Sequence, residues 1–252
     1  MAWVDAAGDS PIPWLVRGTH AIDWAWEARG GGPGETVGRE RFAVFHERLD
    51  AAWSDLVRAV ELDRADPTPW SHLIIVAMGL ELDLDEKRRI FEEAVARGGE
   101  HRSAHAAYLG AICKKWDGSH EAMFGFARQA SERNRDGRLA FLVAEAHLER
   151  WISFTFDNER ESMNTYFGLP AVKQEVRRAR DRAFARGQRR MRWQEVVDRN
   201  LFAFCFWMSQ DQHDAEAALE AVGDDLTRYP WRILGQPEGV FANARLDVFG
   251  KQ

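Results

Sequence analysis

From Arg39 onward, apolar residues return at every third or fourth position: Phe42, Phe45, Leu49, Trp53, Leu56, Val57 and Val60. That spacing lays one apolar face along a long helix. The run Asp66-Pro67-Thr68-Pro69 stops it and opens the next helix, with Thr68 as the cap and Pro69 in the first turn. Trp70, Leu73, Ile74, Ala77 and Met78 continue that helix. Asp83 to Gly98 follows, with Asp83 and Glu86 spaced as a capping box, Ile90, Phe91, Ala94 and Val95 as its stripe, and Gly98-Gly99 as its stop. Another helix is predicted from His101 to Trp116, stopped by Asp117-Gly118. Ser119 then caps Glu121 to Arg133, and Gly137 opens a helix running through Leu142, Val143, Ala146 and Leu148 to Trp151. No stretch alternates with period two for long enough to make a strand, so the fold class is all-α.

The helices pair, and the pairs repeat. Ala59 and Trp70, Ala94 and His105, and Ala130 and Phe141 each lie eleven residues apart, and successive pairs are offset by 35 and then 36 residues. A period near 34, with a small residue late in one helix and a large one opening the next, is the signature of tetratricopeptide-like arrays. One helical hairpin cannot bury both of its faces, so neighbouring hairpins stack. Three unrelated hairpins in an ordinary bundle would be the plainer account of the same spacing. The predicted architecture is a single α-solenoid domain over 1–252: an N-terminal helix and Gly-rich linker at 11–34, a repeat array at 36–154, and C-terminal hairpins with a terminal helix at 168–252. The pattern frays between Phe154 and Asn158. It resumes as predicted helices at Pro170–Arg186, Trp193–Ser209, Asp211–Ala221 and Pro237–Phe249.

Several segments carry a likeness to known proteins. They are Lys115-Trp116-Asp117-Gly118-Ser119-His120-Glu121-Ala122-Met123-Phe124, Phe126-Ala127-Arg128, and Val143-Ala144-Glu145-Ala146-His147-Leu148-Glu149-Arg150-Trp151. Asn200-Leu201-Phe202-Ala203, Ala221-Val222-Gly223-Asp224 and Tyr229-Pro230-Trp231 complete the set. Together they resemble a group of uncharacterised actinobacterial helical-repeat proteins, related to tetratricopeptide proteins and to a domain-of-unknown-function group sharing a Trp-x-Gly-Ser turn. The resemblance runs over roughly 15–250. It implies an α-solenoid and brings no activity, substrate or catalytic residue with it. Asp117 stands where the pattern implies glycine, and Cys205-Phe206-Trp207 is bulkier than the usual end of that helix.

Composition narrows the function classes. Of 252 residues, 45% are hydrophobic and 29% charged, the balance of a folded, soluble protein. The longest apolar run, Leu73 to Leu80, is far short of the ~20 residues that span a bilayer, and the first residues show no secretory pattern. Two cysteines, Cys113 and Cys205, form neither a disulfide framework nor a zinc pattern, so the expectation is a cytoplasmic protein with no membrane partner. Di-iron bundles need Glu-x-x-His on two helices, and no histidine here has Glu three positions before it. His101 and His105 lie one turn apart but are read as a surface and a packing residue, and His147 as a hydrogen-bonded packing residue. No nucleophile elbow, phosphate loop or dinucleotide fingerprint is present, so no catalytic residue, metal or cofactor is assigned.

Two features remain as candidate contacts. Between 173 and 192 nine basic residues face only Glu175 and Asp181, a local charge of +7 in a chain whose total is −6, leaving −13 elsewhere. Arg177, Arg178, Arg182, Arg189 and Arg190 in this block suit carboxylate or phosphate. It can dock on the acidic part of the same chain, bind an acidic protein or peptide, or bind nucleic acid. The overall acidity, with a pI near 5.8, counts against the last. The chain also has 11 Trp. Most fall on apolar stripes as fillers between helices, while Trp24, Trp26 and Trp116 are candidate recognition anchors. The predicted function is a non-catalytic scaffold presenting a concave surface to an acidic protein or peptide. The alternative is an enzyme or a small-molecule or metal binder using His and Trp in the groove, and the third reading is nucleic-acid binding through the arginine block. The oligomeric state is not legible.

Overall fold

The computed structural model describes residues 3–4, 8–30, 37–185 and 192–250. Among them are twelve α-helices and no strand: α1 (Ile12–Arg29), α2 (Arg39–Leu62), α3 (Thr68–Gly79), α4 (Leu84–Arg97), α5 (Arg102–Ala111), α6 (His120–Arg133), α7 (Phe141–Phe156), α8 (Arg160–Thr165), α9 (Pro170–Ala183), α10 (Arg192–Met208), α11 (Gln212–Val222) and α12 (Pro237–Phe249). Short 3₁₀ turns occupy Lys114–Trp116, Tyr166–Gly168 and Trp231–Ile233. No described helix is long and apolar enough to cross a membrane. The chain divides into two compact units, Met1–Met123 and Phe124–Gln252.

In the first unit α3 is the hub, packing on α2, α4 and α5. Its sequence is apolar nearly all round, and Leu73, Ile74, Val76 and Ala77 are all buried. The buried face of α2 is Phe45, Leu49, Ala52, Asp55, Leu56 and Ala59; of the stripe read from the spacing, Phe45, Leu49 and Leu56 are buried, while Phe42, Trp53, Val57 and Val60 are half-buried. On α1, Gly18 allows a close crossing, since a Cβ there would stand 2.9 Å from Leu56 Cγ and 3.2 Å from the Ala52 carbonyl oxygen. Arg17 then reaches the buried Asp55 with two hydrogen bonds of 2.6 Å.

Local capping agrees with the sequence in two places and differs in a third. The Asp83 side chain accepts from Glu86 N at 2.7 Å and Ser119 Oγ from Ala122 N at 3.0 Å, as predicted. At α3 the predicted cap, Thr68, is instead the first helical residue. Asp66 Oδ1 accepts from Thr68 N at 2.8 Å, because the two prolines stiffen the entry and bring the aspartate back over it.

The helix predicted from His101 to Trp116 ends at Ala111. Cys113 turns extended, and the chain folds back so that Ser119 N donates to Ile112 O (3.2 Å) and Gly118 N to Cys113 O (3.3 Å). Asp117 takes the left-handed conformation, φ 64°, where glycine is most at ease. Lys87, which falls in the buried stripe of α4 with Ile90 and Ala94, is wholly covered and donates to Trp116 O at 3.3 Å. Burial lowers its pKa, against the attraction of Asp117 and, more weakly, of Cys113, Glu81 and Asp83.

In the second unit α7 takes the central place, packing on α8, α9 and α10, with nine of its residues buried from Phe141 to Phe154. It begins four residues after Gly137, whose φ of 64° belongs to a lead-in of tight turns anchored by Asn134 Oδ1 accepting from Leu139 N at 3.1 Å. The stretch where the apolar pattern frays holds α8 and the Tyr166–Gly168 turn, both too short to show a period. Six consecutive residues of α10, Leu201 to Phe206, are buried between α7 and α11. Beside them the wholly buried Asn200 bonds in four directions, donating to Val196 O (2.9 Å) and Asp225 O (2.8 Å) and accepting from Thr227 N (3.2 Å) and Trp231 Nε1 (2.8 Å).

Candidate binding groove

Helix α9 sets the geometry of the basic block. Pro170 starts it, and Val172, Val176, Ala179 and Ala183 bury a stripe spaced four, three and four. The charged residues therefore split onto two flanks. On one, Lys173, Arg177 and Arg180 meet the start of α11. Arg177 bonds Asp211 (2.5 Å) and Asp214, Arg180 bonds Asp214 (2.7 Å), and Lys173 lies 3.6 Å from Asp211. Burial works against ionised Asp214, but the hydrogen bonds from Arg177 and Arg180 outweigh it and hold its pKa below the usual range. Asp211 also accepts from Asp214 N as the helix cap.

The other flank is built differently. Arg182 donates to the carbonyls of Glu132 and Asn134, both at 3.0 Å, and so satisfies the last turn of α6. Arg178 is exposed. Arg189 and Arg190 lie outside the described residues. The block is thus partly internal: Arg177 and Arg182 are tied into the fold, and Arg178 is directed outward.

Between α6 and α9 runs an open groove of about 590 Å³, with Val143 of α7 among its lining. Arg128 and Glu132 come from α6, Glu175, Arg178 and Arg182 from α9. Arg128 grips Glu175 with two hydrogen bonds of 2.6 and 3.0 Å, and its side chain is half exposed. Glu175 also meets Nε2 of the buried His147 at 3.2 Å, and His147 Nδ1 lies 2.8 Å from the Tyr166 hydroxyl. An ionised carboxylate only accepts, so Nε2 carries the hydrogen. The Phe124 ring stands edge-on to His147 at 4.9 Å.

Two members of this Tyr–His–Glu–Arg chain are displaced from their ordinary titration ranges. Hydrogen bonds from His147 and Arg128 push Glu175 down to about 2, which makes it a weak base. Burial raises the Tyr166 phenol well above its ordinary value. The chain fixes Glu175 and Arg128 in place at the groove.

The other candidates sit in the first unit. Trp24 is exposed, with Arg48 lying 3.5 Å above its ring and donating to its carbonyl at 2.6 Å. Trp26 and Trp116 are half-buried and pack edge-to-face on each other at 5.7 Å, and Trp26 also packs on Phe45 at 4.9 Å. His101 caps α5, its Nδ1 accepting from Ala104 N at 3.3 Å, while His105 Nδ1 lies 2.9 Å from the His101 carbonyl. Both rings are directed to local backbone, and among the described residues no three His, Cys, Asp or Glu converge as metal ligands. Cys113 and Cys205 are buried, and burial raises the Cys205 thiol far above its ordinary pKa.

Sequence reasoning passed over Tyr166, Glu175, Asp211 and Asp214. Only the last two left a signal: Asp-x-x-Asp at a helix start, within reach of a basic helix. Comparison of the chain with protein-family models, with curated proteins and with solved structures finds no match in any of the three.

Proposed function

We propose that this protein is a non-catalytic, tetratricopeptide-like scaffold that binds an acidic segment of a partner protein in the groove between α6 and α9. What carries the reading is the distribution of charge there. The groove is lined by Arg128, Arg178 and Arg182 with Glu132 and Glu175; Arg128 is bound to Glu175 and Arg182 to backbone carbonyls, which leaves Arg178 outward and meeting no carboxylate among the described residues. Guanidinium groups on a fixed helical frame suit bidentate capture of carboxylates. Support for a solenoid comes from chain-order packing in the first unit, α2 on α3, α3 on α4 and α5, and α4 on α5, with Ala59 and Ala94 fully buried. In arrays of this kind the first helix of each pair lines the inner face, and α6 and α9 would hold that position.

Nucleic-acid binding is less well supported, because Lys173, Arg177 and Arg180 are already matched by Asp211 and Asp214. The test is fluorescence anisotropy with a labelled Glu/Asp-rich decapeptide and its Gln/Asn counterpart. Arg178→Glu is the informative variant, since Arg177 and Arg182 hold the fold together. The acidic peptide should bind, the amide peptide should not, and Arg178→Glu should weaken binding by about tenfold with an unchanged melting temperature. Equal binding of both peptides, or no effect of Arg178→Glu, would sink the proposal.

A further inference from the structure

The second unit holds another cavity of different chemistry, of about 770 Å³, where α7, α8, α10, α11 and α12 converge. Its walls include Trp151, Trp207, Met163, Met208, Asp211 and Asp247, and among the described residues no Lys, Arg or His lines it. In a unit so rich in arginine, a cavity with two carboxylates and no cation is set apart from the α6–α9 groove. Its size falls within the ~300–1,000 Å³ usual for small-molecule sites.

The hydrogen bonds narrow what can enter. Both indole N–H groups are already used: Trp151 Nε1 donates to Met163 O at 2.9 Å, and Trp207 Nε1 to Asp247 Oδ2 at 3.1 Å. Neither is left to receive an anion. Asp211 is balanced from behind by Arg177 and Lys173. Asp247 has no such balance: among the described residues it meets the Trp207 indole and no cation. The cavity therefore combines one uncompensated, solvent-exposed carboxylate, held in place by the half-buried Trp207 indole, with that ring and the half-buried thioethers of Met163 and Met208, while Trp151 is buried behind them. A positive charge on an apolar body satisfies all three, through Coulomb attraction, cation–π contact and polarisable sulfur.

We propose that this cavity binds a small organic cation, an ammonium or guanidinium on a short apolar stem. The site is separate from the α6–α9 groove and does not rest on the peptide-binding reading. The test is isothermal titration of the full chain with choline, with agmatine and with 3,3-dimethylbutan-1-ol, the neutral isostere of choline. At least one cation should bind saturably, and the neutral alcohol about tenfold more weakly or not at all. Asp247→Asn should weaken the cation by a similar factor, and Arg178→Glu should leave it unchanged. Should Asp247→Asn fail to fold, the Trp207 indole N–H resonance of the unaltered protein serves instead and should shift as the cation is added. Saturable binding of neither cation, equal binding of the alcohol, insensitivity to Asp247→Asn, or an unmoved Trp207 resonance would overturn the proposal. So would binding of an arginine-containing peptide alone, which would make the cavity a partner's docking point.

Discussion

Gly118→Ala tests the account of the turn after α5 most directly. A Cβ at Gly118 would lie 1.8 Å from the Ile112 carbonyl oxygen and 2.3 Å from its carbon, where real Cβ contacts essentially never fall below 3.0 Å. The obstacle is backbone, so no side chain can rotate away, and the turn must retreat by more than 1 Å. That retreat breaks Ser119 N→Ile112 O and Gly118 N→Cys113 O, worth about 1 kcal/mol each. It also displaces Ser119 from its cap on α6, worth about 1 kcal/mol more, and pulls Trp116 O from the buried Lys87. The expected loss is about 3 kcal/mol, which for a chain of this size lowers the melting temperature by about 6–12 °C. The neighbouring change should have the opposite sign. Asp117→Gly relieves a left-handed residue and should raise stability by about 0.5–1 kcal/mol, less the attraction Asp117 exerts on Lys87. Both are read by thermal unfolding followed by far-ultraviolet circular dichroism. A Gly118→Ala melting point within about 3 °C of the parent would refute the reasoning.

Acid should destabilise the protein in two stages. Burial lowers the pKa values of His72, His101 and His105 below 6.5, so their contribution is complete above pH 6.5 and is lost as pH falls through the folded values. Glu175, held near 2 against an ordinary 4.5, contributes fully above pH 4.5 and loses its contribution between about 4.5 and 2. Allowing for solvent screening at its exposed edge, that second stage is about 1–2 kcal/mol. Urea midpoints measured at pH 8, 6 and 4 should fall in that order, and a flat profile would contradict it. Asn200→Ala removes four hydrogen bonds and strands the Trp231 indole N–H, which lies wholly buried. The expected loss is about 3–5 kcal/mol, with a change in near-ultraviolet dichroism from Trp231. A loss below about 1 kcal/mol would mean that this network does not organise the end of the second unit.

The helices were legible because burial writes itself into spacing. The stripes of α2, α4 and α9 repeat at three and four residues, and two capping side chains, Asp83 and Ser119, sit one turn from the amides they serve. Legibility failed where an interaction replaced a period. The helix after His101 stops at Ala111 because the returning chain at Gly118 and Ser119 takes the carbonyls of Ile112 and Cys113, and nothing apolar marks that exchange. Lys87 is the reverse case: a charged side chain in a buried stripe, tolerated because its stem fills the core and its ammonium finds Trp116 O.

Charge was the least legible property, and the reason bears on function. A sum over 173–192 treats nine basic side chains as one surface, whereas a helix divides them by angle. Lys173, Arg177 and Arg180 share the flank that meets Asp211 and Asp214, carboxylates more than thirty residues away in sequence. Arg182 turns to the end of α6. Among the described side chains of the block Arg178, beside one groove, is the cation left without an internal partner, and Asp247, beside the other cavity, is opposite in sign. Of the basic side chains between Lys173 and Arg182, all but Arg178 are therefore spent internally rather than offered to a polyanion. If recognition depends on single residues left over after internal pairing, binding should respond sharply to Arg178 or Asp247 and weakly to ionic strength. A long basic surface would do the reverse, with affinity falling steeply as salt is added.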